Sequence, residues 1–466
     1  MTLRLYDTLA GAVREFVPLD PANVRVYSCG PTVYAPAHVG NFRSFLFADL
    51  LVRHLRWTGY PVTWVMNLTD VDDKIIRGAA AEGIGIEALT GRYAAQFLVD
   101  AHILRLATPD VLPRATEHVP EMVTLVERLL ELGHAYRTDD GSIFFRIASW
   151  PAYGRLARLE PEQLRSSERV AADEYDKDDV RDFALWKGPR DQEPRWETAI
   201  GPGRPGWHLE CSAMSMRYLG PSFDIHTGGV DLVFPHHEDE IAQSEAATGR
   251  PFVATWLHCA HLQMGGRKMA KSTGNIARVA DLIAAGTSAR ALRYALVAAH
   301  YRTGLNFGEE SLAAATAAVD RLDAAVAALA GYRSDGPDDP TLPAALAGAR
   351  AAFAAAMDDD LGVSPALAAV FDLVRELNRR VAARTLSSAD AAVALAALRD
   401  LDQVFALLPD EPDALEPELA ALLAARASAR AARAWADSDR LRDELARHGI
   451  DVEDTRDGQR WRRTGG

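Results

Sequence analysis

Hydrophobic positions along the chain change period several times, and each change marks an element. Residues 23–29, NVRVYSC, are rich in β-branched and aromatic residues and run into Gly30-Pro31, which predicts a strand ending in a loop. FRSFLFADLLVRHLRWTGY follows, with apolar residues at three- and four-residue spacing, as a helix with one buried face requires. A second β-rich run, VTWVMNLTDVDD, ends in a carboxylate cluster, which suits strand tips at the ligand-facing edge of a parallel sheet. Strand, loop, helix and strand in this order predict an α/β domain with a doubly wound nucleotide fold, expected over 1–111 and 205–265.

Between them, residues 112–204 mix element types and read as an insertion. Within it YRTDDGSIFFRI is expected to form a hairpin and RSSERVAADEYDKDDVRD a polar surface stretch. Glycine-rich runs resume at GPGRPGWHLECSAM and HTGGVDLVFPHHEDE, where the missing Cβ lets backbone approach a ligand, so the ligand site is expected to reassemble there. A connecting region spans 266–310. From 311 to 410 the chain is alanine-rich with leucine and valine at helical spacing, predicting a helix bundle in which Asp360 or Ser364 caps a helix. The acidic, proline-rich LLPDEPDALEPE leads into the last unit, 411–466, read as a linker and a small α+β module.

Composition narrows the class. With 466 residues, 48% apolar and 25% charged, the chain is too long for one core and too ordinary for a disordered, collagenous or membrane-spanning protein. Its first residues scatter charge and carry no secretion signal, so a cytoplasmic protein with no membrane partner is expected. Three widely spaced cysteines exclude a disulfide framework and leave reduced thiols or metal ligands. A net charge of -14 argues against binding nucleic acid over the whole surface. Yet residues 421–466 hold ten arginines against eight acidic residues, and Arg460, Trp461 and Arg462 sit together near the end. They offer phosphate charge and a stacking face for RNA, although a solvated helix with a basic tail fits the same composition.

Three stretches then occur in order: CGPTVYAPAHVGNFRS at 29–44, GRPGWHLECSAM with HTGGVDLVFPHHEDEIAQS within 203–244, and GGRKMAKSTGN at 265–275. With NLTDVDDKII, AMDDDLGVSPAL and GIDVEDTRDGQRW, they resemble the cysteinyl-tRNA synthetases, class I aminoacyl-tRNA synthetases, from end to end. The resemblance implies a class I Rossmann-type catalytic domain with an insertion, then a helix bundle and an anticodon-binding module. It implies a reaction of ATP and L-cysteine to cysteinyl-adenylate, transfer to tRNA(Cys), Mg2+ with the ATP, one Zn2+ per chain and a monomer.

His38-Val39-Gly40-Asn41 is similar to the family's HIGH signature, and Lys268-Met269-Ala270-Lys271-Ser272 to its KMSKS-type loop. Adenylate formation drives a carboxylate onto the α-phosphate and expels pyrophosphate, so donors and cations must meet the charge that develops. His38, Lys268 and Lys271 are the implied catalytic groups, and Gly40, Asn41, Lys271 and Ser272 the implied nucleotide contacts. Asn41 stands where the signature carries a second histidine; it can donate a hydrogen bond but no positive charge.

The implied metal ligands are Cys29, Cys211, His236 and Glu240. Spacing alone does not give them, because there is no C-x-x-C pair and a buried cysteine is more often an inert small hydrophobe. His236 and Glu240 stand at i and i+4, as one helix face would need, a spacing also common in surface pairs. Zinc binds a thiolate directly, whereas apolar pockets separate near-isosteres by only about 1–3 kcal/mol. Two thiolates and a carboxylate leave such a site net negative, so Glu240 is expected to be the loosest ligand. His237 is assigned to packing or to the layer that supports the metal ligands, Trp207 to the wall of the amino-acid pocket, where a core tryptophan fits the same residue, and Asp231 to the substrate's ammonium group or to a helix cap. Two rivals share the motifs: a mycothiol-pathway cysteine–amino sugar ligase, which lacks an anticodon module, and an inactive tRNA-binding paralogue, which would be expected to have lost a lysine or a metal ligand.

Overall fold

Four strands, Val24–Ser28, Val62–Met66, Phe223–Gly229 and Val253–Cys259, form an all-parallel sheet. In space the order is 253–259, 223–229, 24–28, 62–66. The computed structural model describes residues 2–158, 181–191, 193–264, 267–268, 276–410, 416–455 and 458–463.

Because side chains alternate along a strand, the sheet feeds two cores. Val24, Val26, Trp64, Met66, Ile225 and Leu257 join the core built with helices Val39–Trp57 and Ala289–Val297. Tyr27, Val65, Phe223, Val253 and Trp256 join the other, built with helices Val119–Glu131, Trp207–Leu219 and Glu238–Thr248. Both faces are covered, which is why these strands read as near-continuous apolar runs.

The chain leaves Val24–Ser28 through helix Val39–Trp57 toward Val62–Met66, and leaves Phe223–Gly229 through helix Glu238–Thr248 toward Val253–Cys259 on the other side. The two connections diverge where Ser28 and Thr227 lie side by side, their hydroxyl oxygens 2.8 Å apart. In a parallel sheet such a switch point opens a crevice beyond the strand ends, and residues 29–30 and 228–229 border it.

The insertion supplies a second, antiparallel sheet of Ala135–Arg137, Ile143–Phe145, Phe183–Lys187 and Arg204–Pro205. Its first two strands are the hairpin predicted from YRTDDGSIFFRI; all but the last two residues of the polar stretch at 165–182 lie outside the described residues. After the sheet domain come helices Glu309–Ala330, Leu342–Asp358, Val363–Ala383 and Ser388–Phe405. The expected cap is not formed: Gly362 occupies the N-cap of Val363–Ala383, Ser364 Oγ donates to Ala298 O at 3.2 Å, and Asp360 turns to residues 300–302. Tertiary partners there outcompete the local helix end.

Helices Pro417–Ala431 and Trp435–Arg447 and the hairpin Ile450–Thr455 with Gly458–Arg463 close the chain around Leu419, Leu445, Ile450 and Val452. Among the described residues no helix is long and apolar enough to cross a membrane.

Candidate active site

A cavity of about 490 Å³ occupies the switch-point crevice. Its lining includes Cys29, Gly30, His38, Gly40, Asn41, Asn67, Trp207, Cys211, Asp231 and His236. Residues far apart in sequence thus meet here because strand ends and helix starts share one edge of the sheet.

His38 is the N-cap of helix Val39–Trp57. Its Nδ1 accepts from Asn41 N at 3.2 Å, and Asn41 Oδ1 accepts from His38 N at 3.1 Å, a reciprocal capping box. An Nδ1 that accepts has no hydrogen, so a neutral His38 ring carries its hydrogen on Nε2 and acts as a donor there. Asn41 therefore replaces the charge of a second histidine with a cap, and only its amide nitrogen is left to donate to a ligand. Asn41→Ala is expected to lower stability by about 1 kcal/mol, read as a drop in melting temperature; an unchanged melt would show that the cap contributes nothing.

Cys29 follows the first sheet strand, and Cys211 lies within helix Trp207–Leu219. Their Sγ atoms are 3.7 Å apart. Two sulfurs bound to one tetrahedral ion at about 2.3 Å lie about 3.8 Å apart, so the pair already spans one edge of such a site. Glu240 Oε1 is 3.7 Å from Cys29 Sγ and 3.1 Å from His236 Nε2. His236 sits in the turn Val233–His237 just ahead of helix Glu238–Thr248 instead of inside it, yet the i and i+4 pairing holds.

A second set overlaps the first: Cys29, His226, His237 and Glu240 also bring one ligand atom each within 4.8 Å of one another. His237 Nε2 is 3.3 Å from Cys29 Sγ. The two sets differ in access. Cys29, Cys211 and His236 line the cavity, whereas His226 and His237 lie behind it. His226 Nε2 instead stands 2.9 Å from Glu240 Oε2, fixing the carboxylate, and His237 Nδ1 stands 2.8 Å from His258 Nε2. This outer layer suits the support that metal ligands need. Burial holds the His236 and His237 rings well below their ordinary pKa, so both are neutral with a lone pair available. Burial likewise raises the Cys29 thiol, and a divalent cation is the kind of charge that would offset this. The donor set fits a borderline-soft metal ion.

Trp207 stacks on His236, ring centroids 4.3 Å apart at 14°. Asp231 lies in the short turn Val230–Leu232 at the cavity edge. Cys259 also lines the cavity, its thiol pushed up to about 11 mainly by burial. Of the lysine motif, Lys268 is described only as backbone paired with Gln263, and Lys271 and Ser272 lie outside the described residues. Trp461 is half-buried against the C-terminal core; in backbone register Trp461 stands opposite Val452, Arg460 opposite position 453 and Arg462 opposite position 451.

Apart from His237, sequence reasoning missed the supporting layer. His226, His258, His208, Asp239 and Asn67 crowd the ligands: His208 Nδ1 is 3.0 Å from His236 Nδ1 and 3.4 Å from Asp239 Oδ2, and Asn67 Oδ1 accepts from Gly30 N at 2.9 Å. The histidine density of 226–258 was the one available signal.

Residues 15–317 match the tRNA synthetases class I (C) catalytic domain, 352–409 the DALR domain and 412–462 the cysteinyl-tRNA ligase anticodon binding domain. The chain is 46% identical over 466 residues to the cysteine–tRNA ligase of Solibacter usitatus, covering 99% of this chain and 100% of that protein. It is 45% identical over 473 residues to that of Symbiobacterium thermophilum, with the same coverage. Its fold is similar to Mycobacterium tuberculosis methionyl-tRNA synthetase in complex with methionyl-adenylate, with a TM-score of 0.60 at 18% identity over 83% of this chain and 90% of that one. A catalytic-domain match over more than half the chain, and such identity from end to end, mean that this chain belongs to the cysteinyl-tRNA synthetase family.

Proposed function

We propose that the chain joins L-cysteine to tRNA(Cys) at the expense of ATP. The observation that carries this reading is that Cys29, Cys211 and His236, with the buried Glu240 beside them, border the same cavity as the His38 helix start. One end of the cavity suits a thiol and the other a nucleotide.

In the first step an oxygen of the cysteine carboxylate attacks the α-phosphorus of ATP and pyrophosphate leaves. His38 donates from Nε2, Lys268 and Lys271 neutralise charge on the phosphates, and Gly40, Asn41 and Ser272 let the nucleotide lie against the helix start, whose partial positive charge adds to theirs. Mg2+ accompanies the ATP. In the second step a ribose hydroxyl of the tRNA 3′ end attacks the activated carbonyl and AMP leaves. When bound by Cys29, Cys211, His236 and Glu240, Zn2+ would take the substrate's thiolate as a further ligand, which a serine hydroxyl imitates poorly. Trp207 walls the amino-acid pocket and Asp231 receives the ammonium group. Arg460, Trp461 and Arg462 contribute to anticodon binding, with Trp461 holding the module's core as well. The protein acts as a cytoplasmic monomer.

The test is transfer of labelled cysteine to tRNA, with an amino-sugar acceptor in parallel and ATP–pyrophosphate exchange as control. Charged tRNA supports the reading, transfer to sugar alone favours the mycothiol-pathway reaction, and no exchange by zinc-loaded protein favours an inactive paralogue. The match of 412–462 to an anticodon binding domain supports the tRNA acceptor.

Glu240 carries the extra negative charge of the ligand set, while His226 holds its second oxygen. Glu240→Gln is expected to weaken zinc retention by about tenfold while leaving most of the preference for cysteine over serine. Equal losses in retention and preference would refute this division of labour.

A further inference from the structure

The motif AMDDDLGVSPAL, residues 356–367, takes no part in the chemistry above, yet its third aspartate is among the most heavily engaged side chains in the fold. Asp360 and Leu361 have φ of 55° and 54°, two successive left-handed conformations that non-glycine residues adopt only when the surroundings impose them. The surroundings do. Asp360 is 4% exposed; its N donates to Arg4 O at 2.9 Å, and its Oδ1 accepts from Tyr6 N at 2.8 Å and Tyr301 Oη at 2.6 Å. Its Oδ2 accepts from Arg302 Nε at 2.8 Å, and its carbonyl oxygen pairs with His300 Nε2 at 2.8 Å. One residue between two helices thus binds three consecutive side chains, at 300, 301 and 302.

Those three residues lead into Leu305–Asn306, which pairs in parallel with Leu262–Met264, and that strand pairs antiparallel with Arg267–Lys268. Asn306, Gln263 and Lys268 occupy a single rung. The buried Arg43, in the helix that begins after His38, donates to Ala260 O at 3.1 Å, His300 O at 3.3 Å and Thr303 O at 2.6 Å. The segment is therefore held both by the His38 helix and by Asp360.

We infer that Asp360 is a positioning residue for adenylate formation: by fixing residues 300–302 it sets where the strand bearing Lys268 lies relative to the His38 helix. The inference rests on the reading that Lys268 meets the phosphates of ATP. It predicts that the ATP half of the site, and not the cysteine half, depends on Asp360.

Asp360→Asn keeps the volume and Oδ1 while placing an N–H2 against the Arg302 guanidinium. The matched control is Asp358→Asn in the same turn, whose carboxylate pairs with His54 Nε2 at 3.0 Å, far along the helix from His38. In cysteine-dependent pyrophosphate exchange, Asp360→Asn is expected to raise the KM for ATP about tenfold, with KM for cysteine and metal content unchanged. Asp358→Asn is expected to lower the melting temperature and leave both KM values alone. An unchanged ATP KM in Asp360→Asn, an equal rise in Asp358→Asn, or an equal rise in cysteine KM would overturn the inference. If Asp360→Asn does not fold, Arg302→Gln, which spares the Oδ1 contacts, must show the same ATP-selective rise or the inference fails. A wild type without cysteine-dependent exchange would sink the ligase reading itself; an active wild type with variants of flat ATP KM sinks only the role of Asp360.

Discussion

Cys211→Ser is expected to lower cysteine-dependent pyrophosphate exchange by about a hundredfold or more, to release zinc, and to abolish most of the preference for cysteine over serine. Loss of a supporting group around a metal ligand commonly costs 10–100-fold, and losing the ligand itself belongs at or beyond the top of that range. A serine hydroxyl stays neutral where a thiolate is required, and it cannot reproduce the 3.7 Å sulfur–sulfur edge with Cys29. Cys211 is also 2% exposed, so no water replaces the missing donor cheaply. Metal analysis and exchange kinetics with cysteine and serine check the result together. A variant that keeps both its metal and its discrimination would show that the overlapping Cys29, His226, His237 and Glu240 set holds the ion.

Gly30→Ala is expected to be nearly as damaging without touching any ligand. A Cβ at Gly30 would lie 1.7 Å from Asn67 O, a main-chain atom that no rotamer change can move. The same asparagine accepts from Gly30 N and lies 3.8 Å from Cys211 Sγ, so separating the two strand tips displaces Cys29, Cys211 and Asn67 together. Overpacking a core costs about 1–3 kcal/mol where side chains can yield, and a backbone collision belongs at or above the upper end. The variant should melt lower and bind less than one metal per chain. Gly91→Ala, in helix Ile86–Ile103 with no atom within 4 Å of its new Cβ, should instead be neutral or slightly stabilising. Equal melting of the two variants would show that the strand tips are not in contact in solution.

Several of the elements that carry the site were legible in the chain. NVRVYSC and VTWVM became the strands Val24–Ser28 and Val62–Met66, and FRSFLFADLLVRHLRW lies within the helix Val39–Trp57. The hairpin of the insertion and the helical run after it also follow from spacing that neighbours within one or two turns enforce. The cap expected from Asp360 or Ser364 was misread for the same reason: both are good capping residues locally, and partners at 298–302 claim them. Asn41, an implied nucleotide contact, is in addition half of a capping box, which its place in the signature does not show.

The sequence by itself determined which segments become strands and helices, because propensity, capping and hydrophobic period act over a few residues at a time. Through motif resemblance it also carried the names Cys29, Cys211, His236 and Glu240. Only the tertiary structure decided that sulfurs 182 residues apart lie 3.7 Å from each other, that a second ligand set overlaps the first, and that Cys211 and His236 of the first line the cavity while His226 and His237 of the second do not. The reason is physical: strands pair in an order the sequence does not spell out, and a buried histidine such as His226 acquires its partner, Glu240, only when a strand end and a helix start meet at the switch point of the sheet.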